Sequence, residues 1–393
     1  MDFFPLYAAL YGLFVVIAHL AVSAVLITLI YPRVKSPSLK YFSGRALAAA
    51  GFLTIPLPLY AFLNERPGLQ DFFEFGGWAA YGVGLAAAWL MIIFGGVVQH
   101  LRNTRESGKL FWEADVHRML QGKRFPKRPR PVSAFLSGAF YSNMYRPVVR
   151  EVVVPVKGLP VSLSGLRILH VTDTHMGLKC GPDFYEAILD ELGTWKCDMV
   201  FHTGDIISMD DRAEFAARWL GELGKRTEFG SYCVMGNHDL FLDTPRLSTA
   251  LRKRGVKRLS HSWADVSWKN NRILITGSES PWERGDERDT MASGLHGSRA
   301  DLVLGIAHEP VSGLKLLEAG AQTVFCGHTH GGQIRLGSLG PPVVTARCGW
   351  LYAHGLYDAA GGTLIVSAGL GSYFPPGRLG CPPEVLIATL CGK

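Results

Sequence analysis

His328 and His330 stand two residues apart in the stretch Cys326-Gly327-His328-Thr329-His330-Gly331-Gly332-Gln333, which follows the apolar run 323–326. Imidazoles at that spacing, on a loop leaving a strand, can turn two nitrogens into one pocket, and the glycines let backbone and ligand approach closely. Upstream, other short apolar runs end at residues of matching chemistry: Asp173 and His175, then Asp205, Asn237 and His308. The collection holds four imidazoles, two carboxylates and one amide oxygen. It contains no thiolate, so it suits Mn, Fe, Zn or Co in a working site better than a structural zinc. Seven donors exceed the needs of one ion and fit two ions that share a bridging carboxylate, an arrangement used for phosphoryl transfer. A single DxH or GNH triplet is most often a structural turn; five such endings in register are a different matter.

Positioning these residues requires an α/β framework. Strands are expected over 167–171, 199–202, 232–235, 272–275, 302–307, 323–326, 362–367 and 384–390, and helices over 184–192 and 213–223. Ligands gathered at strand C-termini are how such folds build sites, and Gly204, Gly236 and Gly327 supply the sharp turns off the strands. His170 and His202 fall inside strand runs and read as satisfied core residues. His261, His296 and His354 show no partner pattern. Seven cysteines without a CxxC pair argue for buried thiols and against a disulfide framework.

The N-terminal part has a different texture. Three apolar runs, 6–30, 46–63 and 78–98, have lengths that suit membrane helices, although Pro56 and Pro58 leave the second open to a re-entrant or interfacial reading. His19 in the first is either a helix contact or a functional polar group. Asp2 and the length of the first run argue against a cleaved signal peptide. Between 102 and 130 stand nine Lys and Arg against Glu106, Glu113 and Asp115, close to the whole formal charge of +7. The charge bias predicts three spans, an outside N-terminus and a cytoplasmic C-terminal part. Residues 1–100 therefore read as a transmembrane anchor, and 101–150 as a basic, amphipathic, membrane-proximal connector with apolar residues at helical spacing. A solvated linker is the alternative, and nucleic-acid binding ranks below both because the adjacent spans already account for the basic run.

Asp173-x-His175, Gly204-Asp205, Gly236-Asn237-His238-Asp239, Ala307-His308 and Gly327-His328-Thr329-His330 resemble the ordered signature of calcineurin-like metallophosphoesterases over residues 151–393. Gly331-Gly332-Gln333-Ile334-Arg335 and Pro376-x-Arg378…Cys381-Pro-Pro-Glu384 are similar, more narrowly, to a membrane-associated bacterial branch that includes UDP-diacylglucosamine pyrophosphatases and cell-wall-linked phosphodiesterases. The resemblance implies a four-layer αββα sandwich behind the all-α anchor. It implies one metal on Asp173, His175, Asp205 and His330, and a second on Asp205, Asn237, His308 and His328. His238 becomes the non-ligand histidine that protonates the leaving oxygen or stabilises the transition state. Asp239 either orients that imidazole or acts as a turn carboxylate. Thr174 departs from the apolar residue this branch commonly has there, which bears on packing alone. Arg335 and Arg378 are candidates for holding phosphate through the bidentate guanidinium fork, with plain surface charge as the alternative.

The expected activity is hydrolysis of a phosphodiester or pyrophosphate by two divalent transition ions (Mn, Fe or Zn, with Mn favoured). The expected partners are the lipid bilayer and a lipid or glycolipid phosphoester, and the expected location is the inner or cell membrane. A soluble-nucleotide or cell-wall phosphodiesterase, or a scaffold that keeps the fold without chemistry, are the competing readings.

Overall fold

The computed structural model describes residues 143–178, 180–279, 286–295, 299–373 and 377–393, the short strands at 103–105 and 109–113, and scattered positions between 25 and 97. Two compact units divide the chain: residues 100–335 with 352–393, and residues 1–99 with 336–351.

The larger unit carries two seven-stranded mixed sheets. The first contains β2 (Lys109–Glu113), β3 (Val148–Val156), β14 (Glu384–Gly392), β4 (Arg167–Val171), β5 (Met199–Thr203), β6 (Ser231–Val234) and β7 (Val256–Arg258), in that spatial order. The second contains β1 (Asn103–Arg105), β12 (Gly355–Ala359), β13 (Gly362–Val366), β11 (Thr323–Cys326), β10 (Leu302–Ala307), β9 (Asn271–Ser278) and β8 (Trp263–Trp268). Strands β4 to β7 run parallel to one another, as do β9, β10, β11 and β13. Apart from β7, whose sequence is Val-Lys-Arg, these strands are largely apolar and buried because both faces are covered.

Alternation along each strand divides its side chains between two cores. Ile168, Phe201 and Tyr232 of the first sheet meet Ile273, Ile275, Leu304, Ile306 and Phe325 of the second. Phe201 and Phe325 lie edge to face across the sheets, ring centroids 5.2 Å apart. The opposite faces receive helices. On the first sheet, α1 (Pro182–Leu192) and α2 (Ala213–Lys225) bury Tyr185, Ile188, Trp219 and Leu220 against Leu169 and Val200. A single turn, α3 (Asn237–Leu240), leads into α4 (Thr244–Lys253), which adds Leu247 and Leu251 to this layer. Two further helices, α5 (Glu287–Leu295) and α6 (Pro310–Glu318), cover the second sheet with Met291, Leu316 and Leu317 against Leu274, Val303, Val324 and Leu364. The four layers are helix, sheet, sheet, helix, as expected.

The sheets reach further upstream than residue 151. β3 begins at Val148, and 109–113, where the apolar spacing reads as helical, pairs antiparallel with it as an edge strand. Phe111 and Trp112 favour strands, and β3 offers free backbone to pair with. No disulfide joins any of the seven cysteines, six of which are buried and one, Cys391, half-buried.

The three expected spans lie almost entirely outside the described residues. Among the described residues no helix is long and apolar enough to cross a membrane. Described positions at 87–97 are helical, with Leu90 and Phe94 exposed. In that smaller unit Val344 N donates to Thr28 Oγ1 at 3.1 Å.

Candidate metal centre

Each expected ligand leaves the C-terminal end of a parallel strand. Asp173 and His175 follow β4, Asp205 follows β5, and Asn237 opens α3 after β6; His308 follows β10, and His328 and His330 follow β11. Four of the seven thus come from the first sheet and three from the second. Within the second sheet, Gly327 N donates to His308 O at 3.0 Å. A backbone donor locks the two sets together: His328 N donates to the Asp173 carboxylate at 3.0 Å. Gly327 makes this approach possible, because a Cβ there would collide with Thr172 Oγ1 and with Asp173 Oδ2.

The turns are strained. Asp173, His175, Asp205, His328 and His330 all sit in the left-handed region, with φ between +47° and +70°. Non-glycine residues seldom adopt it, and such outliers gather at functional sites.

Two groups of ligand atoms result. Asp173, His175, Asp205 and His330 offer atoms within 4.8 Å of one another, and so do Asp205, His308 and His328. Asp205 belongs to both, and a single oxygen makes the link: Oδ2 is 3.5 Å from His175 Nε2 and 3.4 Å from His308 Nε2. In the first group His175 Nε2 lies 3.0 Å from His330 Nε2, and Asp173 Oδ1 3.4 Å from His330 Nε2. In the second, His328 Nδ1 lies 3.0 Å from His308 Nε2. Metal–nitrogen bonds of about 2.1 Å place neighbouring ligand atoms roughly 3 Å apart around one ion, so these spacings fit cations. The Asn237 amide oxygen is buried and without a hydrogen-bond partner among the described residues, which is the state of an acceptor meant for a cation. Such a group would otherwise carry its full desolvation cost.

The surrounding groups aim the rings. His308 Nδ1 donates to Thr203 O at 2.7 Å, which turns Nε2 towards Asp205 and His328. His175 Nδ1 pairs with Ser208 Oγ at 2.9 Å. Thr174, where the family branch tends to be apolar, turns its hydroxyl onto Ile206 O at 2.7 Å, with His202 Nε2 at 3.2 Å.

Charge follows burial. Burial, with the Asp205 charge nearby, pushes the Asp173 carboxyl up to about 7 against the His308 charge. Burial pushes Asp205 the same way, but His308, His238 and His175 outweigh it and hold it well below the carboxylate range. Burial lowers His308, yet the two carboxylates and the Thr203 carbonyl raise it to about 9. This concentration of buried anionic oxygen is compensated by protonating an imidazole, the place a metal cation would take.

His238 is half-buried at the edge of the first group and is not one of the clustered ligands. Its ring packs edge-on against His175 and against Tyr373, with centroids 4.8 Å and 4.3 Å away, and its backbone N–H donates to Asp205 Oδ1 at 2.9 Å. Asp239 is a turn carboxylate. Its oxygens accept from Ile206 N, Ile207 N and Gly236 N at 2.9–3.0 Å, tying the His238 turn to the Asp205 loop. Burial and the Asp205 charge push it up to about 7.

Arg335 is half-buried, with Nη1 3.4 Å from Gly331 O. Arg378 is not at the surface: it is fully buried and directed at backbone carbonyls. His170 and His202 are core residues as expected, facing Thr203 Oγ1 and Thr174 Oγ1. Two further residues take part: Tyr373, which carries no signal in the sequence, and Gln333, which the motif contains without a role. Tyr373 stacks on His175 at 5.5 Å, and Gln333 accepts from Ser372 Oγ and Tyr373 N, holding that ring at the site.

Residues 166–332 match the family model of the calcineurin-like phosphoesterases. Curated relatives agree. An uncharacterized metallophosphoesterase of Campylobacter jejuni is 28% identical over 67% of this chain and 68% of its own length. Another, of Bacillus subtilis, is 26% identical over 59% of this chain and 81% of its own. A transmembrane protein with metallophosphoesterase domain of Danio rerio is 29% identical over 62% of this chain and 57% of its own. Among solved structures, the NAD nucleotidase of Haemophilus influenzae is 15% identical, covering 53% of this chain and 46% of that one, with a TM-score of 0.38. The chain spans about half the length of that structure. The family match and the relatives show a calcineurin-like phosphoesterase domain over residues 166–332.

Proposed function

We propose that this chain is a calcineurin-like metallophosphoesterase that hydrolyses a phosphodiester or pyrophosphate bond of a lipid-linked substrate, at a binuclear centre held near the membrane. The observation that carries the catalytic part is the single Asp205 oxygen facing both ligand groups, with His238 beside them and outside them. Asp173, His175, Asp205 and His330 would hold one divalent transition ion, and Asp205, Asn237, His308 and His328 the other, with manganese favoured. Bound there, such ions supply Lewis acidity towards the phosphate and a nucleophile at near-neutral pH. The chain does the rest. Thr203 and Ser208 fix the ligating rings, Asp205 sets the distance between the two positions, and His238 delivers a proton to the leaving oxygen.

The apolar runs near the N-terminus and the basic stretch behind them support anchoring, with the catalytic unit on the cytoplasmic side and an amphiphilic phosphoester as substrate. Curated relatives named as transmembrane proteins with a metallophosphoesterase domain point the same way.

Hydrolysis of bis-p-nitrophenyl phosphate, p-nitrophenyl phosphate and UDP-diacylglucosamine by the detergent-purified protein, with manganese and with chelator, tests this. Manganese-dependent cleavage of the lipid nucleotide supports both parts. Cleavage of the small diester alone keeps the chemistry and removes the lipid. No turnover by a metal-loaded protein turns the reading towards a scaffold.

A further inference from the structure

Arg378 is a fully buried guanidinium whose described partners are almost all carbonyl oxygens. Nε donates to Gly371 O at 2.9 Å, Nη2 to Ala368 O at 2.8 Å and Gly369 O at 3.0 Å, and Nη1 reaches Cys381 O at 3.5 Å. A buried cation is costly, and one beside a cation site repels the ion it neighbours. Some geometric effect must offset that.

The carbonyls it gathers belong to two strips of backbone. Residues 368–371 clasp the Asp173 turn: Leu370 N donates to Thr172 O at 3.0 Å, and Gly371 N to Asp173 O at 2.7 Å. Residues 378–381 clasp the turn after His330: Leu379 N donates to Gln333 O at 2.9 Å, and Arg335 N to Leu379 O at 2.8 Å. Arg378 joins the strips, and its Nη2 lies 3.4 Å from His330 Nδ1, behind the ring. Asp173 and His330 are two of the three residues, with His175, that serve the first ligand group and not the second.

We propose that Arg378 is a positioning residue for the first metal alone, setting the separation of Asp173 from His330, and that it does not bind substrate. This rests on the binuclear reading above. Groups behind metal ligands typically change affinity 10–100-fold when removed, and here the change falls on one ion.

The test is manganese titration of the full-length protein in detergent, as wild type, Arg378→Met and Arg378→Lys, with melting temperature and substrate KM recorded beside it. Met is expected to weaken one of two binding events about 10–100-fold and leave the other unchanged. Lys, whose single ammonium cannot span both strips, is expected to weaken the same event less. If Met does not fold, the one-site loss in Lys carries the test alone. Unchanged affinities in both variants, or equal loss at both sites, would overturn the proposal, as would a selective rise in KM with both affinities intact. A wild type that takes up no manganese would sink the binuclear reading and this inference together. Two intact sites without hydrolysis of any phosphoester would leave this inference standing and remove only the proposed activity.

Discussion

His175 Nε2 lies 3.0 Å from His330 Nε2, two ring nitrogens brought face to face from positions 155 apart in sequence. One follows β4 of the first sheet and the other follows β11 of the second. The contact therefore exists only when both sheets are formed and packed. Burial and neighbouring cationic groups hold His330 well below its ordinary value, and burial holds His175 down at about 3. Both rings are thus neutral near pH 7, and each has an electron pair available for a cation between them.

Metal stoichiometry should follow the two groups. The wild type is expected to hold about two transition ions per chain. His330→Ala and Asn237→Ala are each expected to lower this to about one, and Asp205→Ala to lower it towards none. Elemental analysis after dialysis gives the numbers. Two ions retained in Asp205→Ala would contradict the shared oxygen.

His238 should separate chemistry from binding. Its ring touches His175 and Tyr373 and lies outside both ligand clusters. His238→Ala is expected to lower kcat about 10²–10⁴-fold with both ions retained. Steady-state kinetics with a diester, run beside metal analysis, would expose the error if metal and activity disappeared together.

Much of this was legible beforehand, for reasons that can be located. β4, β5, β10 and β11 are apolar runs covered on both faces, so their pattern survives without knowledge of partners. The ligands sit at their ends, where residue type alone announces the chemistry. Edge strands β1 and β2 were hidden because their pairing with β12 and β3 is non-local, and a helical spacing over five residues is weak evidence. Asp239 and Arg378 were left between alternatives for a common reason. Residue type says that a carboxylate or guanidinium will find partners, but three backbone N–H groups in one case and a cradle of carbonyls in the other come from chain packing. Tyr373 was invisible because it acts through position on a loop with no periodicity.

Gly327→Ala is expected to be damaging out of proportion to one methyl group. The added Cβ would meet the Thr172 hydroxyl and the Asp173 carboxylate; the carboxylate cannot withdraw without breaking the contact to His328 N, nor the hydroxyl without straining its bond to that carboxylate. Forced overpacking of this kind costs about 1–3 kcal/mol, and the displaced Asp173 should weaken the first metal. Chemical denaturation with and without manganese measures both effects. A variant as stable as wild type in both conditions would show that the turn is looser than the geometry states.

Stability should fall as pH drops below neutrality even after chelation. Burial lowers both His170 and His202 from 6.5 to about 3. The folded state keeps them neutral while the unfolded chain protonates them below pH 6.5. Their contribution is therefore present above 6.5 and is lost progressively as pH falls towards 3. Each contributes a slope of about 1.4 kcal/mol per pH unit in that window. His170→Leu should remove one proton from the slope, read from urea midpoints between pH 7 and 5. An unchanged slope would mean that His170 is charged, or exposed, in the folded protein.

Asp239→Asn should act on the fold before it acts on chemistry. The carboxylate accepts three backbone N–H bonds, two of them from residues immediately after Asp205. An amide keeps one acceptor oxygen and places an NH₂ where one or two N–H groups now point. A donor facing a donor in a buried site costs on the order of 1–3 kcal/mol. The melting temperature should fall, while kcat per metal-loaded molecule should stay within about tenfold of wild type, well short of the loss expected for His238→Ala. If Asp239 instead oriented the His238 imidazole as a catalytic partner, the amide would reproduce the His238→Ala deficit in kcat at unchanged metal content. Kinetics normalised to bound manganese separates the two.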